Sequence, residues 1–218
     1  LARAGRATDA QFAQLAARLT GLGAAIEGDL IITTLPEMAA LAMPALAELV
    51  ASHPGLRLRL RTDTRVLRLE YGEAHVAIRA GARPVEPDAV VQPMCALPVA
   101  LYAAPAYLDR HGRPANDEAL AIHAFIGPED DTNRAPFWQW HRRVLPGATL
   151  ACRSDASGAQ TAAVLAGVGL GFLPVDLVPE GLEMVMPARP EWAVPLWLVT
   201  HVDLHRTPKV QAALAALR

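Results

Sequence analysis

The stretch that decides the fold runs from Gly28 to Thr62, GDLIITTLPEMAALAMPALAELVASHPGLRLRLRT. Residues 30–32 form a short apolar run, which is typical of a strand that is buried on both faces. Residues 33–37 combine a hydroxyl, a proline and an early acid, and these signals predict a capped helix that continues to about Ser52. Leucine and arginine then alternate over residues 56–61, which predicts a second strand with one apolar and one basic face.

The same order of elements occurs a second time near the carboxyl end. Residues 149–153 have the composition of a strand, and Ser154 or Asp155 is placed to cap a helix that reaches about Ala166. A further strand is predicted over residues 169–173. Strands that alternate with helices indicate an α/β fold with a largely parallel sheet. Because the device occurs only twice, we interpret it as two similar lobes rather than a repeat array.

Composition narrows the classes of protein that the chain can represent. Half of the 218 residues are hydrophobic (52%), which is enough for one domain or for two small lobes. The 20 basic and 22 acidic side chains leave a formal charge of −2. Direct binding to DNA normally requires a basic excess, so we do not expect this chain itself to bind DNA.

Membrane insertion and export are not expected either. The sequence has no run of 18 apolar residues and therefore no predicted membrane span. Its first residues lack the continuous apolar segment of a signal peptide. Two cysteines, Cys95 and Cys152, are too few for a disulfide framework; placement of each in the core is favoured, and a single disulfide stays an alternative.

The amino-terminal segment carries a heptad pattern on one face, formed by Phe12, Leu15, Leu19, Leu22 and Ile26. One interpretation is a helix that packs on its own domain. The narrow apolar seam favours the other interpretation, a dimerisation or linker helix.

Candidate ligand-binding residues follow from the α/β architecture. Ligands of open α/β sheets bind beyond the carboxyl ends of strands, where helix N-termini offer free N–H groups to anions. Thr33 with Thr34, and Ser154 with Asp155, are predicted at such places, although simple helix capping would also explain them. Arg61 and Arg79 are each predicted near the carboxyl end of a strand, where a guanidinium can hold a carboxylate with two hydrogen bonds.

Signals for catalysis, cofactors or metals are weak. The sequence lacks the nucleophile elbow, the zinc-protease pattern and the phosphate-binding loop. The glycine-rich stretch 167–171 follows a helix and precedes a strand, so it indicates a helix stop rather than a phosphate cradle. His201 and His205 flank Asp203 at a spacing that could hold a metal, but isolated pairs of this kind are mostly accidental. We expect a non-catalytic chain with no cofactor and no metal.

Six short stretches stand out together by their order and spacing. They are GDLII at 28–32 with its threonine-rich turn, His53-Pro54, AIRAG at 77–81, LYAAPAYL at 101–108, HGRP at 111–114 and GVGLGFLP at 167–174. In this order and spacing they resemble the effector-binding domain of LysR-type transcriptional regulators. The resemblance covers residues 28 to 218, and the segment before it is similar to the linker helix of that family. One departure is His75, where the family usually has an acid.

The resemblance implies a two-lobed, periplasmic-binding-protein-like fold of type 2, with mixed, mainly parallel sheets. A linker helix over residues 1–27 would precede an effector-binding domain over 28–218. Lobe I would comprise about 28–100 and 200–218, and lobe II about 101–199. The family's members are cytoplasmic homodimers or tetramers with a small-molecule effector in the interlobe cleft. They contact DNA through a helix-turn-helix domain that precedes the linker helix and lies outside this chain.

The resemblance also implies a set of residues that line the cleft. With Arg61 added from the strand-end argument, the predicted ligand-binding residues are Thr33, Thr34, Leu35, Arg61, Thr62, Asp63, Arg79, Ala80, Ile126, Gly127, Ser154 and Asp155. Two arginines and two helix starts offer more donors than acceptors, since Asp155 is expected to be occupied in capping its own helix. We therefore expect a small anionic organic effector.

These observations lead to a prediction of function with alternatives. The preferred interpretation is a non-catalytic sensor domain that passes ligand occupancy to a DNA-binding domain. A solute-binding protein of a transport system shares the fold and is the first alternative, and an enzyme on the same fold is the second. Heptad pattern and resemblance together predict a homodimer with antiparallel lobes, in which the helix from about Glu37 and the strand from Leu56 face the partner's helix from Ser157.

Overall fold

The computed structural model describes residues 26–62 and 67–218. The heptad helix predicted over residues 1–27 falls almost entirely on residues outside these ranges. Ile26 and Glu27, its last two positions, have no regular secondary structure.

Strands and helices alternate along most of the described chain. In order, they are β1 (Gly28–Thr34), α1 (Ala39–Ser52), β2 (Leu56–Thr62), β3 (Val76–Ala80), β4 (Ala89–Leu97), β5 (Val99–Ala103), α2 (Pro105–His111), β6 (Ala124–Gly127), α3 (Pro136–Val144), β7 (Thr149–Arg153), α4 (Ser157–Leu165), β8 (Gly171–Pro174), β9 (Glu183–Met186), β10 (Val194–His201), α5 (Val202–His205) and α6 (Pro208–Ala216). Short 3-10 helices occur at Pro36–Met38, Leu69–Tyr71, Ala119–Ile122, Val175–Leu177 and Pro190–Trp192.

The chain folds into two compact units. Unit 1 contains the described residues up to Arg79, together with Pro84–Gln92 and Leu198–Arg218. Unit 2 contains Ala80–Arg83 and Pro93–Trp197. The chain therefore passes from one unit to the other several times, within β4 and β10 among other places.

Three sheets form the framework of the two units. The five-stranded sheet has the order β2-β1-β3-β10-β4, and β1 pairs in parallel with both β2 and β3. A three-stranded sheet has the order β8-β5-β9 with antiparallel pairs. The third sheet pairs β6 with β7 in parallel. The predicted α/β fold with mixed sheets is thus confirmed.

Both predicted helix caps are wrong, although the helices themselves are present. Thr33 and Thr34 are the last two residues of β1, and the helical segment begins at Pro36 with Leu35 as an extended N-cap that has no side-chain cap. A residue before proline disfavours the helical conformation, which explains why Leu35 stays extended. In unit 2 the N-cap of α4 is Ala156, again without a side-chain cap, rather than Ser154 or Asp155.

Other local expectations changed in smaller ways. Between residues 67 and 75 the structure has a single 3-10 turn, at Leu69–Tyr71. Helix α3 was not predicted at all, although it positions Trp138 and Trp140. Thr207 is the N-cap residue of α6, but its hydroxyl donates to the carbonyl oxygen of Leu204 instead of capping the helix.

An aromatic cluster forms the core of unit 2. Phe172 of β8 lies 5.1 Å from Trp192 and 5.5 Å from Trp138, measured between ring centroids. His141 of α3 packs edge-on against Phe125 at 4.6 Å and against Trp138 at 5.0 Å. This imidazole is 4% exposed, and its Nε2 has no hydrogen-bond partner in the described residues.

Burial, with a smaller effect of the Arg142 charge, lowers the pKa of His141 from 6.5 to about 4. The folded state therefore binds fewer protons than the unfolded state between these two values. The free energy of unfolding should fall as the pH decreases from about 6.5 toward 4.

No helix in the described ranges is long and apolar enough to cross a membrane.

Replacement of His141 by phenylalanine should remove part of this acid sensitivity. The phenyl ring keeps the aromatic contacts but cannot take up a proton. In urea unfolding at a series of pH values, the decrease between pH 6.5 and 4 should shrink by about 3 kcal/mol. An unchanged pH dependence in His141→Phe would contradict the assignment.

Candidate functional site

The carboxyl ends of β1 and β2 bring four of the predicted site residues together. In the parallel register Thr33 lies beside Arg61, and Thr34 lies beside Thr62. On the other side of β1, Thr33 lies beside Ala77 of β3. Both residues of the Thr33–Thr34 pair are 4% exposed, whereas Arg61 and Thr62 are exposed. This edge of the sheet, the strand-end site of unit 1, combines buried hydroxyls with an exposed guanidinium.

The hydroxyl of Thr34 is the most informative atom of this site. Its Oγ1 is buried and has no hydrogen-bond partner within residues 26–62 and 67–218. A buried hydroxyl in that state costs about 1–3 kcal/mol. Helix capping would have satisfied it, but the helix starts too late along the chain for Thr34 to cap it. The hydroxyl is thus free to form a hydrogen bond with a ligand.

Arg79 lies near the end of β3 as predicted, but its side chain contacts Leu67 rather than the strand-end site of unit 1. Its Nη2 donates to the carbonyl oxygen of Leu67 at 3.0 Å. Burial lowers the pKa of Arg79, and the charge of Glu86 opposes that shift. The guanidinium lines a pocket of about 300 Å³ formed by three segments of unit 1, residues 67–70, 86–89 and 199–201. None of the strand-end threonines lines this pocket.

The remaining predicted residues of this region have weaker roles. Leu35 is partly buried and forms the N-cap of the first helical turn. Ala80, the last residue of β3, is exposed and belongs to unit 2. Asp63 lies outside the described residues.

In unit 2 the parallel pair β6–β7 collects the other predicted residues. Gly127 lies beside Arg153, and its carbonyl oxygen accepts the backbone N–H of Ser154 at 3.0 Å. A β-carbon at Gly127 would lie 3.1 Å from Leu150 and 3.3 Å from Trp138. Only glycine therefore fits at this strand end without displacement of its neighbours.

Ser154 and Asp155 differ in how many of their side-chain hydrogen-bonding groups are already used within the protein. The Oγ of Ser154 accepts the backbone N–H of Ala156 at 3.1 Å, and its carbonyl oxygen accepts from Gln160 at 2.6 Å. Its hydroxyl hydrogen can still donate. Asp155 is exposed and does not cap α4, so its carboxylate is not occupied in the way predicted. Ile126 is 1% exposed, and its side chain belongs to the core of unit 2.

The histidines near the carboxyl end do not form a metal site. The Nδ1 of His201 accepts the backbone N–H of Asp203, while His205 pairs through Nδ1 with the hydroxyl of Thr200 at 3.0 Å. No group of three or more metal-binding side chains occurs in the described ranges.

Sequence patterns did not reveal two features of unit 1. The pocket beside Arg79 depends on Leu67 and Glu86, which belong to loops without periodicity. The second feature is a contact between His75 and Lys209, two residues that are 134 positions apart along the chain. Only the unusual histidine, where the family usually has an acid, marked this place in the sequence.

Comparison with known proteins agrees with this architecture. The family of the LysR substrate binding domain matches residues 23–218. The chain belongs to this family. An HTH-type transcriptional regulator of Xanthomonas campestris pv. campestris (strain 8004) is 30% identical over 134 residues, which cover 58% of this chain and 38% of that relative. The match thus spans well under two thirds of the length of that relative.

Solved structures show the LysR-type fold as well. The regulatory domain of CrgA, a LysR-type transcriptional regulator from Neisseria meningitidis, matches with a TM-score of 0.74 and 22% identity, over 88% of this chain and 97% of that chain. Full-length CbnR in complex with its target DNA matches with a TM-score of 0.71 and 17% identity, over 100% of this chain and 76% of that chain. The chain has the type 2 periplasmic-binding-protein-like fold of these LysR domains.

Replacement of Thr34 by valine should stabilise the ligand-free chain. The change keeps the shape of the side chain and removes a buried hydroxyl without a partner, so the gain should be about 1 kcal/mol. Urea unfolding of the two proteins measures this difference. Thr200→Val is the matched control, because its hydroxyl is buried but paired with His205; this variant should be destabilised. Destabilisation of Thr34→Val by a similar amount would show that Thr34 has a partner.

Proposed function

We propose that this chain is the ligand-sensing part of a LysR-type transcriptional regulator. It binds a small anionic organic effector and passes occupancy to a DNA-binding domain elsewhere in the protein. Membership of the LysR substrate-binding domain family supports the sensing role. The Xanthomonas relative is named as an HTH-type regulator, and CbnR was solved with its target DNA, which supports the link to DNA. Such a regulator acts in the cytoplasm.

The observation that carries the ligand proposal is the unpartnered Thr34 hydroxyl at the strand-end site. It lies in the strand position next to Thr62, with the Arg61 guanidinium one position earlier on β2. No hydrogen bond or ion pair of Arg61 occurs with the described residues, in contrast to Arg57 and Arg59, which both pair with Asp29. Because successive residues of a strand point to opposite faces of the sheet, Arg61 shares its face with Thr33, and the Thr34 hydroxyl lies on the other face. At the strand ends a carboxylate, whose oxygens only accept hydrogen bonds, suits donors from both faces.

The ligand class follows from the cost of the alternatives. A cation at this site would face Arg61 and leave the Thr34 hydroxyl with no charged acceptor. A carboxylate would satisfy both groups, and charge-assisted hydrogen bonds are the stronger kind. In unit 2, the Ser154 hydroxyl is the group that would donate to an anionic ligand.

Small organic acids, including aromatic ones, should raise the melting temperature of the chain. At about 100 times Kd a ligand adds about 2.7 kcal/mol, which corresponds to roughly 5–10 °C for a chain of this size. Thr34→Val and Arg61→Gln should each weaken binding about tenfold, and Ser154→Ala should reduce the shift as well.

Arg59→Gln is the matched control for the arginine, because its partner Asp29 lies away from the strand ends; it should keep the full shift. Stabilisation by amines or neutral sugars alone would contradict the anionic ligand. Equal effects of Arg59→Gln and Arg61→Gln would contradict the site.

We further propose that the chain acts as a homodimer. Helix α1 of unit 1 and helix α4 of unit 2 each carry exposed small or apolar residues. On α1 they include Ala40, Met43 (40% exposed) and Ala47, and on α4 they include Ala159, Ala162 and Leu165 (41% exposed). Strand β2, next to α1 in sequence, lies at the edge of its sheet. These faces suit an antiparallel pairing in which α1 and β2 of one copy meet α4 of the other.

Sedimentation at tens of micromolar should show a dimer, since an interface of about 1,600 Å² normally holds at that concentration. A charge placed in a buried apolar interface lacks a partner and is costly. Ala47→Glu on α1 and Ala162→Glu on α4 should therefore each shift the chain to monomer. Val85→Glu, at a side chain that is 90% exposed in a loop, is the control and should leave the dimer intact. A monomeric wild-type chain would contradict the proposal.

A further inference from the structure

The contact between His75 and Lys209 joins three elements of unit 1. His75 precedes β3, and its ring Nδ1 accepts the backbone N–H of Ile31 at 2.8 Å. The backbone N–H of His75 donates to the carbonyl oxygen of Ile31. Lys209 lies in the first turn of α6, and its Nζ donates to the carbonyl oxygen of Asp29 at 2.8 Å. The Nζ of Lys209 lies 3.3 Å from the Nε2 of His75.

Donor and acceptor accounting restricts the protonation states of this pair. A backbone N–H can only donate, so the His75 Nδ1 that accepts from Ile31 carries no proton. A neutral imidazole in that state carries its hydrogen on Nε2 and donates there. A lysine ammonium has three donors and no acceptor. If Lys209 were an ammonium, two N–H donors would face each other across 3.3 Å.

The free amine resolves this conflict. A neutral amine has two N–H groups and one lone pair. One N–H serves the Asp29 carbonyl oxygen, and the lone pair accepts the Nε2–H of His75. The two nitrogens of the contact then meet as donor and acceptor, as the hydrogen-bonding of buried polar groups normally requires.

The surroundings act in the same direction. Burial is the main cause that lowers the pKa of Lys209 below its ordinary value, and burial together with the Lys209 charge lowers the pKa of His75 to about 4. Among the described residues, the Asp29 carboxylate on β1 is the charged group that opposes the Lys209 shift. That carboxylate is already paired with Arg57 and Arg59 of β2, so it offers Lys209 little compensation.

We propose that His75 and Lys209 form a neutral hydrogen-bonded pair that acts as a proton-sensitive clasp between α6 and the start of β3. Protonation of the amine removes its lone pair and leaves two donors opposed, which weakens the attachment of α6 through Lys209. The free amine keeps the hydrogen bond between His75 Nε2 and Lys209 Nζ. This inference does not depend on the ligand site, since none of its residues belongs to the strand-end site.

The clasp predicts the sign of a pH effect. A lysine with a lowered pKa binds its proton in the unfolded chain before it does so in the folded chain as the pH falls. The free energy of unfolding should therefore decrease as the pH falls from about 10.4, the ordinary lysine value, to the pKa of the folded chain.

Lys209 is the only lysine of the chain, which makes a direct test possible. Labelling with lysine enriched in ¹³C at Cε and ¹⁵N at Nζ yields one side-chain signal that needs no assignment. Titration of the folded chain should give a midpoint below that of the same chain in urea. The His75 ring, labelled with ¹⁵N, should show the Nε2–H form. A midpoint at or above the urea value, or an Nδ1–H imidazole, would overturn the proposal.

Two substitutions separate the clasp from a merely structural contact. His75→Asp keeps an acceptor for the Ile31 N–H but supplies a charge that favours the ammonium, so the Lys209 midpoint should rise above that of the wild type. Cys95, Tyr102 and Tyr107, whose pKa values desolvation raises, make the free energy of unfolding fall with rising pH in every variant. Lys209→Met cannot titrate and should lose only the opposite component, in which the free energy of unfolding rises with pH. Arg206→Met, at an exposed position before α6, is the control and should keep it. An identical pH dependence in Lys209→Met and the wild type between about pH 10.4 and the folded-state pKa of Lys209 would overturn the proposal even if His75→Asp does not fold.

Discussion

The parallel pairing of β1 with both of its neighbours is the constraint on which the rest of unit 1 depends. Leu30 and Ile32 are completely buried, so the polar backbone groups of this strand must find partners inside the protein. The ladder with β2 runs without interruption from Gly28 and Leu56 to Thr34 and Thr62. This register aligns the two strand ends, and it keeps Thr33 and Thr34 extended when a helix is about to start.

The same constraint explains why a hydroxyl is left without a partner. A threonine released from the sheet could cap the following helix, but Thr34 is held by its place in β1, and Pro36 delays the helical turn. In unit 2 the corresponding polar residue, Ser154, satisfies itself through a local turn to Ala156. The two units thus repeat one arrangement of strand and helix with different chemistry. In unit 1 the Thr34 hydroxyl has no hydrogen-bond partner among the described residues, whereas in unit 2 the Ser154 hydroxyl oxygen already accepts one hydrogen bond.

On the other side of β1, the ladder meets the His75 side chain. The backbone pairing with β3 includes Ile32 and Thr33, and His75 closes the ladder at Ile31 with one backbone and one side-chain hydrogen bond. This use of Nδ1 determines what Nε2 presents to Lys209. The backbone pairing of β1 therefore sets the hydrogen bond that His75 forms with Lys209 of α6. Val210 and Leu214 of this helix are buried in the same unit.

Local sequence determined the elements whose pattern is strong. Apolar runs, leucine–arginine alternation and proline signals placed β1, α1 and β2 within a few residues, because strand and helix periods follow from backbone geometry. The order of these elements and six family stretches then determined the LysR-type fold. Helix α3 escaped prediction because it has only nine residues, which is too few for an apolar period to repeat over several turns.

Tertiary structure alone decided which polar groups remain available. The sequence placed Thr34, Arg61 and Arg79 near strand ends, but it could not separate them into a strand-end site and a pocket around Leu67. It also could not show that capping fails at Thr34, or that Lys209 lies against His75. The physical reason is the same in each case. A hydrogen bond depends on a partner that is distant in sequence, and local residue patterns carry no information about that partner.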